Sequence, residues 1–340
     1  MIWNLAYVLG GPAFGRSSVI NPDISKEGVR CMTKEELYYN SRDGIHKIHA
    51  VRYIPDGEIR YIVQIIHGME EHIGRYEEFA VFLCEHGILV SGNDHLGHGK
   101  SINSDEELGY FCDKDQLTVV VRDIHRLKKM NQEKYPQIKT FILGHSMGAL
   151  ILQNYLLHYS TGIDGCIICG TASHNNIEVL GGKILLRLLA LFGGWHRKSK
   201  FAEGIVNGNA NARIDNPRTP SDWLCHDEMI VDKFVADPRC GFTFSINGLY
   251  LLIDALGHIN NKKQRENIDK NLSIRFISGT QDPVGNYTKG VNRAFSQYKD
   301  ARIVNLDLIL YDGMRHEVLN EVGRGKVYRD VLEYFDKLNL

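Results

Sequence analysis

Short apolar runs alternate with longer segments of helical spacing along most of this chain. The runs that are typical of strands buried on both faces lie at residues 61–66, 87–91, 140–143, 165–170, 273–278 and 304–310. The segments whose apolar residues recur at helical spacing lie at residues 75–85, 116–132, 149–158, 287–298 and 322–337. Strands that alternate with helices predict an α/β fold, in which helices cover both faces of a mostly parallel sheet.

The alternation has two exceptions. Residues 36–40 and 46–53 are both strand-like and are joined by Ser41-Arg-Asp-Gly44, and an Asp-Gly pair between two such runs is typical of a hairpin. Residues 174–257 carry helix-like apolar patterns and loops but no clear buried strand. This interruption predicts a helical insertion over one end of the sheet.

These patterns predict that the chain is divided into three parts. The irregular, Gly-containing start at residues 1–34 is interpreted as an N-terminal arm. Residues 35–173 and 258–340 are predicted to form the α/β core, and residues 174–257 a helical cap, or lid.

The most apolar part of the predicted cap is residues 177–195. If this segment is helical, Lys183 and Arg187 share one narrow stripe and apolar side chains cover most of the remaining surface. Such a surface beside an active site suits an acyl chain or a bilayer. A helix that is apolar nearly all round is also usually buried between its neighbours. The sequence leaves both interpretations open.

Composition and charge exclude several classes of protein. Of the 340 residues, 43% are hydrophobic and 24% are charged, as in a globular protein with a sizeable core. The 40 Lys and Arg residues are balanced by 41 Asp and Glu residues, so there is no basic surplus and we expect no nucleic-acid partner.

Cysteine usage and the N-terminal sequence bear on the compartment. The 7 cysteines are scattered and form no dense disulfide framework, which favours a reducing cytoplasm. Cys166 and Cys169 point to opposite faces of a predicted strand, so we interpret them as small buried hydrophobes. The apolar start lacks a basic region and a cleavage site, and no run of about 18 apolar residues occurs, so we expect neither a signal peptide nor a spanning helix.

Gly144-His-Ser-Met-Gly148 is the leading candidate for a catalytic motif. It fits the G-x-S-x-G pattern and lies between a predicted strand and a predicted helix, the context of a nucleophile elbow. Its two glycines permit a tight turn that would expose Ser146 at the carboxyl end of the sheet. The alternative is an ordinary Gly-rich loop between a strand and a helix.

A serine hydroxyl needs a base and an acid to become an effective nucleophile, and both follow later in the chain. Asp282 and His316 each lie in a loop directly after a predicted strand, and the order Ser, Asp, His is that of α/β-hydrolases. Asp312 is the rival acid. Because it lies on the same loop as His316 and only four residues before it, we prefer Asp282.

Acyl transfer also needs two N–H donors for the oxyanion. Met147 follows the nucleophile directly, and Met69 follows the early strand at residues 61–66. We predict that their backbone amides form the oxyanion hole.

A second set of residues offers different chemistry. His67, His72, Asp94, His95 and His98 include potential metal ligands. The segment that holds the last three is Gly-rich, however, and it lacks a ligand spacing that matches a known metal site. We therefore expect neither a metal nor an organic cofactor.

Five motifs in the same order resemble the monoacylglycerol lipase and lysophospholipase group of α/β-hydrolases. They are His67-Gly-Met-Glu-Glu-His-Ile-Gly-Arg-Tyr76, Asp94-His-Leu-Gly-His-Gly-Lys-Ser101, Gly144-His-Ser-Met-Gly148, Gly279-Thr-Gln-Asp-Pro-Val-Gly285 and Arg315-His-Glu-Val-Leu-Asn-Glu321. The resemblance covers about residues 36–337 and implies an eight-stranded sheet, a cap after the sixth strand and a triad of Ser146, Asp282 and His316. The last motif looks closer to the bacterial lysophospholipase-like members.

The expected function is hydrolysis of acyl-lipid esters, of the monoacylglycerol or lysophospholipid type, through an acyl-enzyme. The expected partner is a small acyl ester, with transient contact between the cap and a membrane surface as an additional option. Three alternatives stay open: a short-chain carboxylesterase, an amidase or peptidase with the same triad, and a non-catalytic binding protein on this fold. The sequence does not determine the oligomeric state.

Overall fold

Eight strands form one sheet in the computed structural model, which describes residues 32–207 and 210–340. The strands are β1 (Met32–Asn40), β2 (Lys47–Pro55), β3 (Tyr61–Ile66), β4 (Ile88–Asn93), β5 (Thr140–His145), β6 (Gly165–Cys169), β7 (Ile274–Gly279) and β8 (Leu306–Tyr311). Their order is β1-β2-β4-β3-β5-β6-β7-β8. β2 runs antiparallel to β1 and β4, and all other neighbours are parallel. The predicted hairpin and the mostly parallel α/β sheet are confirmed.

The described residues form ten α-helices around this sheet. They are α1 (Glu77–Glu85), α2 (Gln116–Lys134), α3 (Met147–Tyr159), α4 (Asn176–Gly193), α5 (Lys200–Asn207), α6 (Glu228–Ala236), α7 (Ile246–Asn260), α8 (Lys262–Arg265), α9 (Lys289–Asp300) and α10 (Arg324–Asn339). Buried side chains of α2, α3, α7 and α9 pack on one face of the sheet. Those of α1 and α10 pack on the other face.

Each face of the sheet has its own hydrophobic core, and strand β6 contributes side chains to both. Cys166 belongs to the core under α3, and Cys169 belongs to the core under α10, because side chains three apart on a strand point to opposite faces. Both are fully buried free thiols, and burial raises the pKa of each. They pack as small hydrophobes, as predicted.

The predicted domain limits need two corrections. β1 begins at Met32, so the last three residues of the predicted arm belong to the sheet, while residues 1–31 lie outside the described residues. The predicted cap limit at residue 257 falls inside α7, which packs directly on α3: the Asn154 side chain donates to the Ala255 carbonyl oxygen at 3.2 Å. An apolar helix looks alike in a cap and in a core layer, so spacing alone misplaced this limit.

Between β6 and α7 the chain forms α4, α5 and α6, joined by loops. α4 begins with a capping box in which Asn175 and Glu178 satisfy each other's backbone N–H groups. Among the helices of residues 32–207 and 210–340, none is long and apolar enough to cross a bilayer.

Candidate active site

Ser146 stands on a sharp turn between β5 and α3. Its backbone has φ 56° and ψ −119°, a positive-φ conformation that residues other than glycine rarely adopt. The Ser146 N–H donates to the Cys169 carbonyl oxygen at 2.9 Å, which ties the turn to β6. A strained residue at the carboxyl end of a central strand is typical of a functional position.

Close backbone packing explains the two glycines of the turn. A Cβ atom at Gly148 would lie 2.0 Å from the Ile66 carbonyl oxygen, and one at Gly144 would lie 2.4 Å from the Gly148 carbonyl oxygen. Both distances are far below van der Waals contact, so only glycine allows the start of α3 to approach β3 and β5 this closely. The packing of α3 in turn holds Ser146 in its strained conformation.

His316 and Asp282 form a buried pair beside this turn. The Nδ1 atom of His316 lies 2.9 Å from the Oδ1 atom of Asp282, and both residues are almost fully buried. The Val284 N–H donates to Asp282 Oδ1 at 2.8 Å, and the Ser278 hydroxyl donates to its Oδ2 atom at 3.1 Å. Burial alone would raise the pKa of Asp282, but the adjacent His316 and the backbone N–H groups of Gly285 and Val284 hold it below its usual range.

The His316 ring offers its other nitrogen to the same cavity that Ser146 lines. Nε2 is buried and has no hydrogen-bond partner among the described residues, whereas Nδ1 is occupied by Asp282. The structure therefore pairs His316 with Asp282 and places His316 and Ser146 in the lining of one cavity. Asp312 is exposed and accepts a hydrogen bond from Thr280 at 3.2 Å instead.

Met69 and Met147 also line this cavity. Met147 is the first residue of α3, so its N–H is one of the first-turn amides that have no partner inside the helix. The neighbouring Gly68 N–H is already used, because it donates to the Glu71 carboxylate at 2.5 Å. That hydrogen bond fixes the loop that carries the Met69 amide.

A buried charge network beside the site was missed by sequence reasoning. Arg75 donates to Glu317 through two nitrogens, at 2.6 and 2.8 Å, and to Glu71 at 2.6 Å. Glu71 also accepts from the Tyr76 hydroxyl at 2.7 Å and lies 3.5 Å from His145 Nδ1. Burial acts to raise the pKa of both carboxyls, but the Arg75 charge holds both pKa values below their usual range.

This network connects three of the four loops that carry the candidate site residues. Glu71 lies two residues after Met69, His145 directly precedes Ser146, and Glu317 directly follows His316. The only signal in the sequence was the position of these carboxyls beside the motifs. Nothing in the local pattern pairs Arg75 with a residue 242 positions away.

The histidine-rich set packs as part of the core rather than around a common point. The rings of His67 and His95 lie 4.1 Å apart between centroids, and His98 lies 5.3 Å from His67. Both nitrogens of His67, Nε2 of His95 and Nδ1 of His98 contact backbone groups, and burial lowers the pKa of all three rings. Asp94 accepts from the Ile73 and Lys100 N–H groups and so shapes the loops instead.

Potential metal ligands come together at a different place, where His72, Asp237 and Cys240 meet. There His72 Nδ1 accepts from the Gly74 N–H at 3.2 Å, so Nε2 carries the ring proton and faces Asp237 at 2.9 Å. Both ring nitrogens are thus committed to hydrogen bonds within the protein. These hydrogen bonds hold the loop after β3 against the loop after α6.

A sequence model of the family described as Serine aminopeptidase, S33 (Hydrolase_4) matches residues 57–323. The chain belongs to the Hydrolase_4 family. The matched range contains the strained turn, the buried His–Asp pair and the loop that follows β3, so the family assignment covers every candidate site residue.

Relatives of this Hydrolase_4 chain include two lipases and an esterase. The monoacylglycerol lipase of Mycolicibacterium smegmatis is 25% identical over 307 residues, covering 89% of this chain and 97% of that protein. The monoglyceride lipase of Mus musculus is 31% identical over 271 residues, covering 79% of each. A thermostable carboxyl esterase from Bacillus coagulans superposes with a TM-score of 0.84 at 30% identity, covering 91% of this chain and 100% of that one. The chain is an α/β-hydrolase of the monoacylglycerol lipase type, as predicted.

Proposed function

We propose that the protein hydrolyses carboxylic esters of acyl lipids with Ser146 as nucleophile, His316 as general base and Asp282 as the acid that orients it. The observation that carries this proposal is the buried His316–Asp282 pair: His316 keeps its Nε2 atom without a partner among the described residues and lines the same cavity as the strained Ser146. Asp282 holds the ring in the tautomer whose Nε2 accepts a proton.

The reaction proceeds by acyl transfer in two steps. His316 takes the proton of Ser146 as the serine oxygen attacks the ester carbonyl, and the Met69 and Met147 amides stabilise the oxyanion. His316 then protonates the leaving alcohol, which departs and leaves an acyl-enzyme. Water, activated by His316, attacks that ester and releases the fatty acid and the free serine.

The cavity supports a lipid substrate. It has a volume of about 790 Å³ and extends from Ser146 between α4, α7 and the core. One side, the apolar wall, is formed by side chains of these helices and of α3, namely Leu150, Val179, Leu185, Leu252, Ile253 and Leu256. This wall suits an acyl chain, and the lipase relatives act on monoacylglycerols by name. We therefore propose monoacylglycerols as the substrate class, with α4 to α6 as the lid.

Two other activities remain as candidates for the same triad. The Bacillus coagulans relative is a carboxyl esterase, which favours shorter esters as the alternative. The family description names a serine aminopeptidase, which keeps amide hydrolysis open. The response to acyl length separates the lipid proposal from both.

We expect kcat/KM to rise with acyl length until the cavity is full and then to level off. Each buried methylene contributes roughly 0.8 kcal/mol, or nearly fourfold in affinity. The measurement is the hydrolysis of dissolved monoacylglycerols of increasing length. A kcat/KM that is highest for acetyl esters and falls steadily with acyl length would show instead that the protein is a short-chain esterase.

Substitutions on α4 test whether the apolar wall binds the acyl chain of the substrate. Leu185 lines the cavity, whereas Leu188 is exposed and points away from it. Leu185→Asp should lower kcat/KM for dissolved long-chain esters by about tenfold or more and leave acetate esters nearly unchanged, since it places a charge against the chain. Leu188→Asp is the matched control. Equal effects of the two variants would contradict the proposed path.

We also propose that the outer face of α4 binds a membrane surface. Six apolar side chains on this face are exposed at helical spacing: Ile177, Leu180, Ile184, Leu188, Leu191 and Phe192. Ile177, Leu191 and Phe192 are the most open, at 83%, 79% and 85% of their full surface. A continuous apolar face of this kind beside a lipid-binding cavity favours interfacial docking.

The double variant Leu191→Glu/Phe192→Glu tests this docking. It should lower the binding of lipid vesicles, and the hydrolysis of monoacylglycerol within them, by more than about tenfold, because burial of each side chain contributes about 1.5–3 kcal/mol. Hydrolysis of a dissolved short ester should not change. Val304→Glu is the control, since Val304 is also exposed, at 71%, but precedes the amino end of β8, whereas α4 follows the carboxyl end of β6. Unchanged vesicle binding by the double variant would refute the docking face.

A further inference from the structure

Four neighbours surround the ring of His316. Asp282 contacts its Nδ1 atom at 2.9 Å. A Cβ atom at Gly170 would lie 3.1 Å from the Cε1 atom of the ring, so the Gly170 backbone packs close against it. The centroid of the His145 ring lies 4.8 Å from that of His316. The fourth neighbour, Trp223, comes from the insertion: its ring centroid lies 5.1 Å away, and the two ring planes differ by 36°.

Trp223 lies in the loop between α5 and α6, within residues 222–226, which we call the strap. The two residues that flank His316 hold this strap by three hydrogen bonds: from the Glu317 N–H to the Leu224 carbonyl oxygen at 2.7 Å, and from Arg315 Nη1 to the carbonyl oxygens of Asp222 at 2.8 Å and Cys225 at 3.2 Å. Because the donors come directly before and after His316, the strap keeps Trp223 in a fixed place relative to the His316 ring.

The side chain of Trp223 is also held from within the insertion. It is half-buried and packs against a small apolar cluster of Leu224, Phe234 and Cys240. Its backbone N–H donates to the Asn211 Oδ1 atom at 2.9 Å. Trp223 lines the active-site cavity together with His316. Contacts with the cluster and with His316 therefore fix the indole at the wall of the cavity.

The neighbourhood of an indole and a general base has a chemical consequence. His316 becomes a cation when it takes the proton of Ser146 in the proposed reaction. The face of an aromatic ring attracts a cation within about 6 Å of its centroid, and tryptophan does so most strongly. At 5.1 Å the His316 ring lies within this range of Trp223. Trp223 therefore favours the charged ring in addition to Asp282, which favours it through Nδ1.

We propose that Trp223 is a positioning residue, which holds the His316 ring in place and stabilises the imidazolium that forms when Ser146 attacks. This inference rests on the proposed role of His316 as general base. The aromatic face is the essential property, because an aliphatic side chain restrains the ring but does not attract its charge. The insertion thereby acts on the reaction itself as well as on substrate binding.

Two substitutions separate the aromatic face of Trp223 from its bulk. Leucine and phenylalanine are both apolar and smaller than tryptophan, but only phenylalanine has an aromatic face. Trp223→Leu should lower kcat for a dissolved acetate ester by about tenfold, and Trp223→Phe by less than about threefold. The loss should fall on kcat rather than KM, because the imidazolium forms only after the substrate is bound. Trp195→Leu is the control, since Trp195 packs on Tyr250 and does not line the cavity.

The pH profile gives a readout that a loss of packing alone does not produce. The rate falls at low pH when the general base is already protonated. Because Trp223 favours the protonated ring, Trp223→Leu should move the acid limb of kcat/KM to lower pH, by as much as about one unit, whereas Trp223→Phe should keep most of the wild-type midpoint. Water that entered around the ring would move the limb to higher pH instead, because water favours the charged form.

Substitution of Trp223 removes no ionisable group near His316. The ionisable groups on the elements around His316 are Asp282 after β7, His145 at the end of β5, Glu71 and Arg75 after β3, and Arg315 and Glu317 on its own loop. On the strap, Asp222 accepts from the Arg218 N–H, and the ring of His226 contacts Glu321. A shift of the acid limb in Trp223→Leu but not in Trp223→Phe therefore reports the loss of the aromatic face.

Tryptophan fluorescence tests the same contact without any substrate. A protonated imidazole next to an indole quenches its emission more than a neutral one. The difference in emission between the wild-type protein and Trp223→Phe isolates Trp223 from the other tryptophans, Trp3 and Trp195. This difference should fall as the pH is lowered through the acid limb. The fall should be absent when His316→Ala is introduced into both proteins.

The possible results separate two failures. Equal kcat values and equal acid limbs in Trp223→Leu and Trp223→Phe, or a limb that moves to higher pH in Trp223→Leu, would overturn the role of Trp223 and leave ester hydrolysis standing. The melting temperature of each variant reports whether the fold is retained, and if Trp223→Leu does not fold, a pH-independent emission of Trp223 in the wild-type protein would overturn the role. Hydrolysis of no ester by the wild-type protein would overturn the proposed function itself.

Discussion

Ser146→Ala should reduce kcat for ester hydrolysis by about 10⁴- to 10⁶-fold while the protein stays folded. In the proposed mechanism the serine oxygen forms the bond to the acyl group, and alanine has no group that replaces it. The side chain makes no contact that the core requires, and the strained turn is held by the backbone hydrogen bond to Cys169. The measurement is single-turnover and steady-state hydrolysis of a dissolved monoacylglycerol.

A covalent probe gives an independent reading of the same prediction. A fluorophosphonate should label Ser146 in the wild-type protein and should label nothing in the Ala variant. Ser296→Ala is a matched control, because Ser296 is exposed on α9 and donates only to its own helix, at 2.9 Å. Near-native turnover by Ser146→Ala would show that the nucleophile is another residue.

Asp282→Asn should lower kcat by on the order of 10⁴-fold. The Asn amide would offer a donor where the carboxylate now accepts, so His316 would turn to the tautomer whose Nε2 carries a proton and could no longer accept one from Ser146. The hydrogen bond that changes is the one of 2.9 Å between His316 Nδ1 and Asp282 Oδ1.

Asp312→Asn is the control for this prediction and should cost far less activity. Asp312 is exposed, and its only hydrogen bond to a side chain among the described residues is with Thr280. Substrate affinity should be nearly unchanged in both variants, since neither residue lines the cavity. A larger loss of kcat from Asp312→Asn than from Asp282→Asn would show that Asp312 is the acid that orients His316.

Local sequence patterns determined the elements and pointed to the candidate reacting groups. The six continuous apolar runs became β3 to β8, because a strand buried on both faces needs apolar side chains on both. Gly144 and Gly148 marked the turn, because no other residue fits so close to a neighbouring backbone. Asp282 and His316 were found because the carboxyl ends of parallel strands meet at one edge of the sheet.

The periodic pattern could not determine how the helices are shared between cap and core. α7 reads as one more apolar helix of the insertion, yet it packs on α3 and closes one face of the core. On α4, Leu185 and Leu188 are equivalent in the sequence, but one lines the cavity and the other is exposed. Which side of a nearly all-apolar helix is covered depends on its neighbours.

The charges around the site were decided only by the tertiary structure. Arg75 meets Glu317 from 242 positions away, and Glu70 meets Glu203 of a helix in the insertion. Spacing along a chain records which side chains share a face of one element, and it carries no record of which elements meet. The sequence by itself therefore determined the fold and the candidate reacting residues, whereas the folded arrangement decided the charge and shape of the cavity that those residues line.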